Sequence, residues 1–254
     1  MLYTNNCSDL RLRAWCIHCS TPIGSTESNL DHVPTKALLS KRVRADGAKF
    51  DRGSGGPFDY LPQVRICKSC NSRFSEDETY LLCLLHAVLA GTLYPDPQAQ
   101  ADAYNVLRSN RHIVRELRDG IDGQMWLFDN LEPFTLYPDP ERISRVIVKN
   151  ARGHMHHEIA ENAEGTPDHV AFVPLHLLNP QERNMFESSG DGEIGVWPEV
   201  GSRMMERILT GDDMVGGWVI VEPERYRFSI DWRHDITVKT VIWEYLATET
   251  RWSR

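Results

Sequence analysis

Cys16-Ile17-His18-Cys19, Asn29-Leu30-Asp31-His32-Val33-Pro34 and Cys67-Lys68-Ser69-Cys70-Asn71 decide how this chain is read. Two residues between cysteines let one turn of backbone aim both sulfurs at a tetrahedral zinc at about 2.3 Å, and two such knuckles complete a four-thiolate site. Cys16, Cys19, Cys67 and Cys70 are therefore the expected ligands of a structural zinc, with no coordination position left open for chemistry. The pairs are separated by Ser20 to Ile66, 47 residues, against the about 15 to 20 of a simple zinc ribbon, so the interval has room for functional structure. Cys83, inside an apolar run, reads as a small buried hydrophobe, and Cys7 has no assigned role.

Around this frame, the 254 residues carry 28 Lys+Arg against 36 Asp+Glu, a net charge of -8, with 41% hydrophobic residues. That apolar content fills a core and excludes a fully disordered chain. The longest apolar run, Tyr80 to Ala90, is interrupted by His86 and falls short of the about 20 residues needed to cross a bilayer. Met1 to Asp9 lacks the basic start and apolar stretch of a secretory signal, so the cytoplasm is the expected location, where thiols favour metal over disulfides. Charge is uneven: residues 1–75 hold 11 Lys+Arg and 6 acids, a net +5, leaving -13 for the rest. A net-acidic chain is not drawn to nucleic acid as a whole, yet a local basic surface can neutralise phosphates.

Local signals fill in the elements. Residues 29–34 read as a short strand ended by Pro34, Lys36 to Lys41 as a helical turn or two, and Asp46 to Phe58 as a glycine-rich surface loop carrying Lys49 and Arg52. Ser75 with Glu78 forms a capping box for a helix running to about Ala90, where Gly91 closes it. Gln98 to Asp119 reads as another helix, with Arg108, Arg111, Arg115 and Arg118 forming a basic stripe that is either a solvated face or a phosphate-contacting one. Trp126 to Phe128 suggests a strand, and Glu141 to Glu161 has the helical period. Within it, His154 and Glu158 are spaced for a metal, but with no third ligand in sight a histidine-rich polar face is expected. Gly216 to Val221, Tyr226 to Ile230 and Val238 to Leu246 are strand-like, with Glu222 to Glu224 as a turn.

The order Cys-x-x-Cys, Asp31-His32, Cys-x-x-Cys-Asn71 resembles the His-Asn-His (HNH) endonucleases, in the branch whose ββα-metal site is braced by four zinc-bound cysteines. The resemblance covers roughly Cys16 to Glu78, about a quarter of the chain. It implies a metal-dependent endonuclease acting on nucleic acid, DNA first, with His32 as general base and Asp31 and Asn71 as ligands of a catalytic Mg²⁺ or Mn²⁺. The chemistry suits those types: hydrolysis needs a base with a pKa near neutral, and magnesium prefers oxygen donors. The family context further implies 5′-phosphate products, roles in mobile elements, restriction or antiviral defence, and a homodimer or an activating partner. The family's middle asparagine, which orients the base histidine, falls here on Pro62, whose main-chain oxygen, Asp59 or Gln63 would have to substitute. Glu76, Asp77 and Glu78 are read as helix-capping acids or an added carboxylate ligand.

The expected fold is α+β: a ββα module braced by the knuckle pair, then a helical segment and a mixed, β-rich C-terminal region, divided as 1–95 and 96–254. The competing function is a catalytically silent zinc-braced module that binds nucleic acid or protein.

Overall fold

The computed structural model describes residues 14–45, 60–119, 135–163, 165–188, 197–211 and 213–253. Cys7, the loop at 46–58, Asp59 and the strand expected at 126–128 lie outside the described residues. The fold is α+β. None of the described helices is long and apolar enough to cross a membrane.

Two compact units are cut differently from the 1–95 and 96–254 division: residues 1–74 join 147–254 in one, and 75–146 form the other. In the first unit, β1 (Ser28–His32) pairs antiparallel with β2 (Gln63–Cys67), from Ser28 opposite Cys67 to His32 opposite Gln63. The ladder is extended at both ends, by Lys68 N donating to Glu27 O and Val33 N to Pro62 O, at 2.8 and 2.9 Å. A 3-10 turn at Lys36–Leu38 and the short helix α1 (Lys41–Ala45) follow β1. β2 runs directly into helix α2 (Lys68–Ala90), whose first turn carries Cys70 and Asn71. The helix therefore starts seven residues before the Ser75 capping box, because the second knuckle itself is its first turn. The Ser75 carbonyl accepts the Thr79 hydroxyl as an interior helical residue. Gly91, at φ 68°, closes the helix as expected, in the left-handed region that glycine enters without cost.

The rest of the first unit is built on a six-stranded antiparallel sheet in the order β3-β8-β7-β6-β5-β4. Its strands are β3 (His169–Pro174), β4 (Met214–Val215), β5 (Trp218–Glu222), β6 (Tyr226–Asp231), β7 (Ile236–Ile242) and β8 (Leu246–Trp252). The run expected from Val238 to Leu246 breaks at Trp243-Glu244, with φ 57° and 46°. Three residues, Trp243 to Tyr245, join the paired Ile242 and Leu246, and two successive left-handed residues are usually signalled by Asn-Gly, so the sequence carries no warning. One face buries Val241, Ala247 and Trp218, with Phe186 packed against them from helix α6 (Pro180–Glu187). On the other, His154 stacks on Phe228 with ring centres 3.8 Å apart. His154 ends helix α5 (Pro140–His154), which continues as a π-helical turn over Met155–Ile159. Helix α7 (Arg203–Thr210) is capped by the Ser202 hydroxyl.

The second unit contains most of α2, then α3 (Ala101–Ser109), α4 (Arg111–Asp119) and the start of α5. The single helix expected over 98–119 is broken at Asn110, whose side-chain amide donates to Val106 O at 2.8 Å. Asparagine competes for backbone groups in this way and so ends helices. Asp77 is buried and bound by Arg142 (3.0 Å) and Arg145 (2.7 Å). Burial alone would push its carboxyl up, but the two guanidiniums hold it below the usual carboxylate range. It is thus a buried ion-pair hub, neither a cap nor an added metal ligand.

Candidate metal centre and adjoining histidine

Each knuckle is positioned by local backbone chemistry. Ser20 N donates to Cys16 O and Cys16 N to Thr21 O, and Ser20 takes φ 58°, folding the first pair back on itself. The second pair straddles the β2–α2 junction. The four thiol sulfurs lie within 4.8 Å of one another, with Cys19 and Cys67 Sγ 3.6 Å apart. Tetrahedral Zn–S bonds of about 2.3 Å separate sulfurs by about 3.8 Å, so the donor set fits a zinc ion. Cys16 and Cys67 are also core, packed with Ile17, Val33, Val64 and Ile66. A metal there would tie the loop before β1 to the strand and helix that follow β2. Although burial pushes the Cys67 thiol up, hydrogen bonds from Ser69, Cys70 and Cys19 bring it down to about 6, towards the thiolate that metals bind. The same crowding holds Cys70 up. Arg152, whose charge acts on Cys70, Cys16 and Cys19, donates its hydrogen bonds to His18 O at 2.8 Å and to Gly165 O.

His32 ends β1 and is half-buried. Its Nε2 lies 2.8 Å from Gln63 Nε2, its cross-strand partner. Of the three substitutes considered for the middle asparagine, the Pro62 oxygen is taken by Val33 N and Asp59 lies outside the described residues, which leaves Gln63 on the imidazole. Burial, then Lys36 and Lys149, lower the His32 pKa to about 4, so the ring is neutral at physiological pH.

Asp31, its neighbour, is held by Lys149 of α5, with Nζ 3.0 Å from Oδ1 and 2.9 Å from Oδ2. The Lys149 side chain is 3% exposed and also donates to Thr35 Oγ1. Asn150 accepts from Thr35 N at 2.8 Å, and Gly153 lies against Val33. These contacts fix the segment after β1 onto α5. Lys149 and Asn150 were legible in one respect: they share the buried helical period of Val146, Ala151 and Gly153 rather than the polar face. Asn71, half-buried in the first turn of α2, hydrogen-bonds to neither Asp31 nor His32. The structure thus joins the four cysteines to one another and His32 to Gln63, and it gives Asp31 a lysine partner.

The second metal-like pattern resolves differently. His154, His156, His157 and Glu158 are buried, so the polar face expected there is core. Glu158 receives a two-point pairing from Arg207 (2.8 and 3.2 Å) and lies 3.5 Å from Arg203, while Arg207 also pairs with Asp213. His154 Nε2 is 3.0 Å from Tyr226 Oη. Burial lowers the His154 pKa to about 3 and takes His157 well below its ordinary value.

No protein-family model matches this chain, and no curated protein or solved structure matches it either.

Proposed function

We propose that this chain is a metal-dependent phosphodiester hydrolase cutting nucleic acid, DNA first, with His32 as general base and Asp31 and Asn71 as ligands of one Mg²⁺ or Mn²⁺. The observation that carries this reading is His32 held by Gln63 at the end of a two-stranded ribbon that a cysteine cluster clasps to α2. A divalent ion bound at these oxygen donors would neutralise charge developing on the phosphate. His32 would receive the proton of the attacking water at Nδ1, with its own proton on Nε2. For that tautomer the Gln63 side-chain amide is turned over, so that its oxygen, in place of the nitrogen that faces the ring, accepts from His32 Nε2, the orienting duty that Pro62 cannot perform. Burial keeps the imidazole neutral with its lone pair free, and it also makes the ring a weaker base than an exposed histidine, a cost that a divalent ion acidifying the water would offset. Lys149 holds the Asp31 carboxylate in place. The four thiolates brace the ribbon and do no chemistry.

Supercoiled plasmid incubated with zinc-verified protein in Mg²⁺ or Mn²⁺ is expected to be nicked or linearised, with His32→Ala and Asn71→Ala inactive at unchanged zinc content. Gln63→Ala should slow cleavage by about 10²-fold, the usual scale of a positioned acid–base partner. Cleavage by His32→Ala at the wild-type rate would remove the assignment.

One observation favours a second reading, a zinc-braced binding module without catalysis: the Lys149 ammonium already stands on Asp31, the carboxylate that would take the divalent ion. Intact plasmid from the wild type, and cleavage gained in Lys149→Met, would select it.

A further inference from the structure

The break at Asn110 changes what the basic stripe does. Arg108 leaves the last turn of α3 while Arg111, Arg115 and Arg118 follow one row of α4, and together they line an open groove of about 510 Å³. Tyr94 and Tyr104 complete its polar wall; Tyr94 is 71% exposed, high for an aromatic ring without a partner to cover it. The Arg108 guanidinium lies 5.7 Å from the centre of the Tyr104 ring. Arg118 pairs with Asp119 at 3.0 Å, but Arg111 and Arg115 have no carboxylate partner, and no acid lines the groove among the described residues. The other acid of that helix, Glu116, is bound to Arg142 at 2.8 Å.

We propose that this groove binds single-stranded nucleic acid, with Arg111, Arg115 and Arg108 on the phosphates and Tyr94 stacked on a base. A cationic groove with exposed aromatic faces is the recurrent solution for single strands, because unpaired bases offer a π-face of about the same worth whatever their identity. A duplex hides those faces in its own stack and would use only the arginines. An acidic peptide would likewise leave Tyr94 unused. Binding of the strand stands apart from catalysis; that the bound strand is the substrate rests on the hydrolase reading.

The test uses the full chain carrying His32→Ala, so that binding is read without cleavage and its outcome does not depend on that reading. Anisotropy of a labelled oligothymidine is followed against salt. Three phosphate contacts give a slope of log K against log salt of about -2, each single-strand contact supplying about 0.7. Arg111→Gln/Arg115→Gln should lower the magnitude of the slope to about 0.7 and weaken binding at least about tenfold. Tyr94→Leu should weaken it about tenfold while leaving the slope alone. Zinc content and circular dichroism should be unchanged in these surface variants. No binding, variants that bind like their parent, a hairpin duplex bound as tightly as the single strand, or displacement by polyglutamate at matched charge would each overturn the proposal.

Discussion

Two clusters in one compact unit gather acidic groups in opposite ways. Cys16, Cys19, Cys67 and Cys70 crowd four ionisable thiols within 4.8 Å and receive no hydrogen bond from a cationic side chain. The Glu158 and Asp213 side chains are buried more deeply than the cluster's exposed Cys19 and half-buried Cys70, and Arg203 and Arg207 are clamped onto them. The difference separates a donor set that could hold a metal ion from carboxylates whose charge the protein's own guanidiniums already meet. Asp31 sits between these extremes, with two hard oxygens and one lysine. That is why Lys149 is the residue on which hydrolase and silent module diverge.

The sharpest way to break the comparison is to remove the external cation. Purified protein should carry about one zinc per chain, and Cys67→Ser or Cys19→Ser should lose it. Structural zinc sites bind with an apparent 10 to 16 kcal/mol, about the whole stability of a domain. Strong chelation should therefore unfold the β1–β2 ribbon, seen as lost amide protection over Asn29–His32 and a much lower melting temperature. A zinc-free protein that melts with the holoprotein would show that the thiols need no ion.

Removing the internal balance should cost less. Glu158→Gln takes the buried carboxylate away from Arg203 and Arg207 and leaves Arg207 its pair with Asp213, and breaking such pairs typically costs about 3–5 kcal/mol. Denaturant midpoints should fall accordingly while zinc content stays at the wild-type value. A coupled loss of zinc would mean that the two clusters are one structure.

This contrast also accounts for what could be read in the chain. The four-cysteine cluster was legible because its chemistry is local: two Cys-x-x-Cys turns, each complete within four residues. The order of β2 and α2 followed, since both adjoin the second pair, while β1 was marked by the strand that Pro34 ends. His154 and Glu158 misled because their spacing is also local, whereas the arginines that claim Glu158 are 45 and 49 residues away. Lys149 escaped for the same reason, at 118 residues from Asp31. The hairpin at Trp243-Glu244 escaped because its turn lacks the usual residues, whereas the helix start at Lys68 and the break at Asn110 are local features that the stronger signals of the capping box and the arginine stripe hid.

Acid should separate the clusters more gently. His154, at about 3, and His157 bind protons in the unfolded chain below its ordinary 6.5 but not when folded. Their contribution is fully present above about pH 6.5 and is lost as pH falls towards the folded values. Each contributes a slope of about 1.4 kcal/mol per pH unit within that window. His18 and His32, also held below the ordinary value by burial, add in the same direction, so unfolding free energy should drop by at least about 2 kcal/mol between pH 6.5 and 5.5, and His154→Phe should lessen that drop by about 1 kcal/mol. A pH-independent free energy over this range would contradict the burial of these rings.

The smallest effect is expected where the ribbon meets α5. A methyl group on Gly153 would stand 2.6 and 2.8 Å from the two Val33 methyls, in a place where Val33 is 3% exposed. Valine is stiff at χ1 and cannot swing aside, so overpacking of about 1–3 kcal/mol is expected. Alanine returns up to about 1 kcal/mol of helix propensity, leaving Gly153→Ala destabilised by roughly 1 kcal/mol. Val33→Ala alone opens a cavity and also destabilises. Together the two changes set one added methyl in the space vacated by the two Val33 methyls, so the double variant should be more stable than the sum of the singles by about 1 kcal/mol. Val33 follows His32 directly, so the same cycle run on cleavage would report whether α5 also positions the imidazole. Additivity within about 0.5 kcal/mol would mean that the backbone gives way and that α5 does not fix the end of β1.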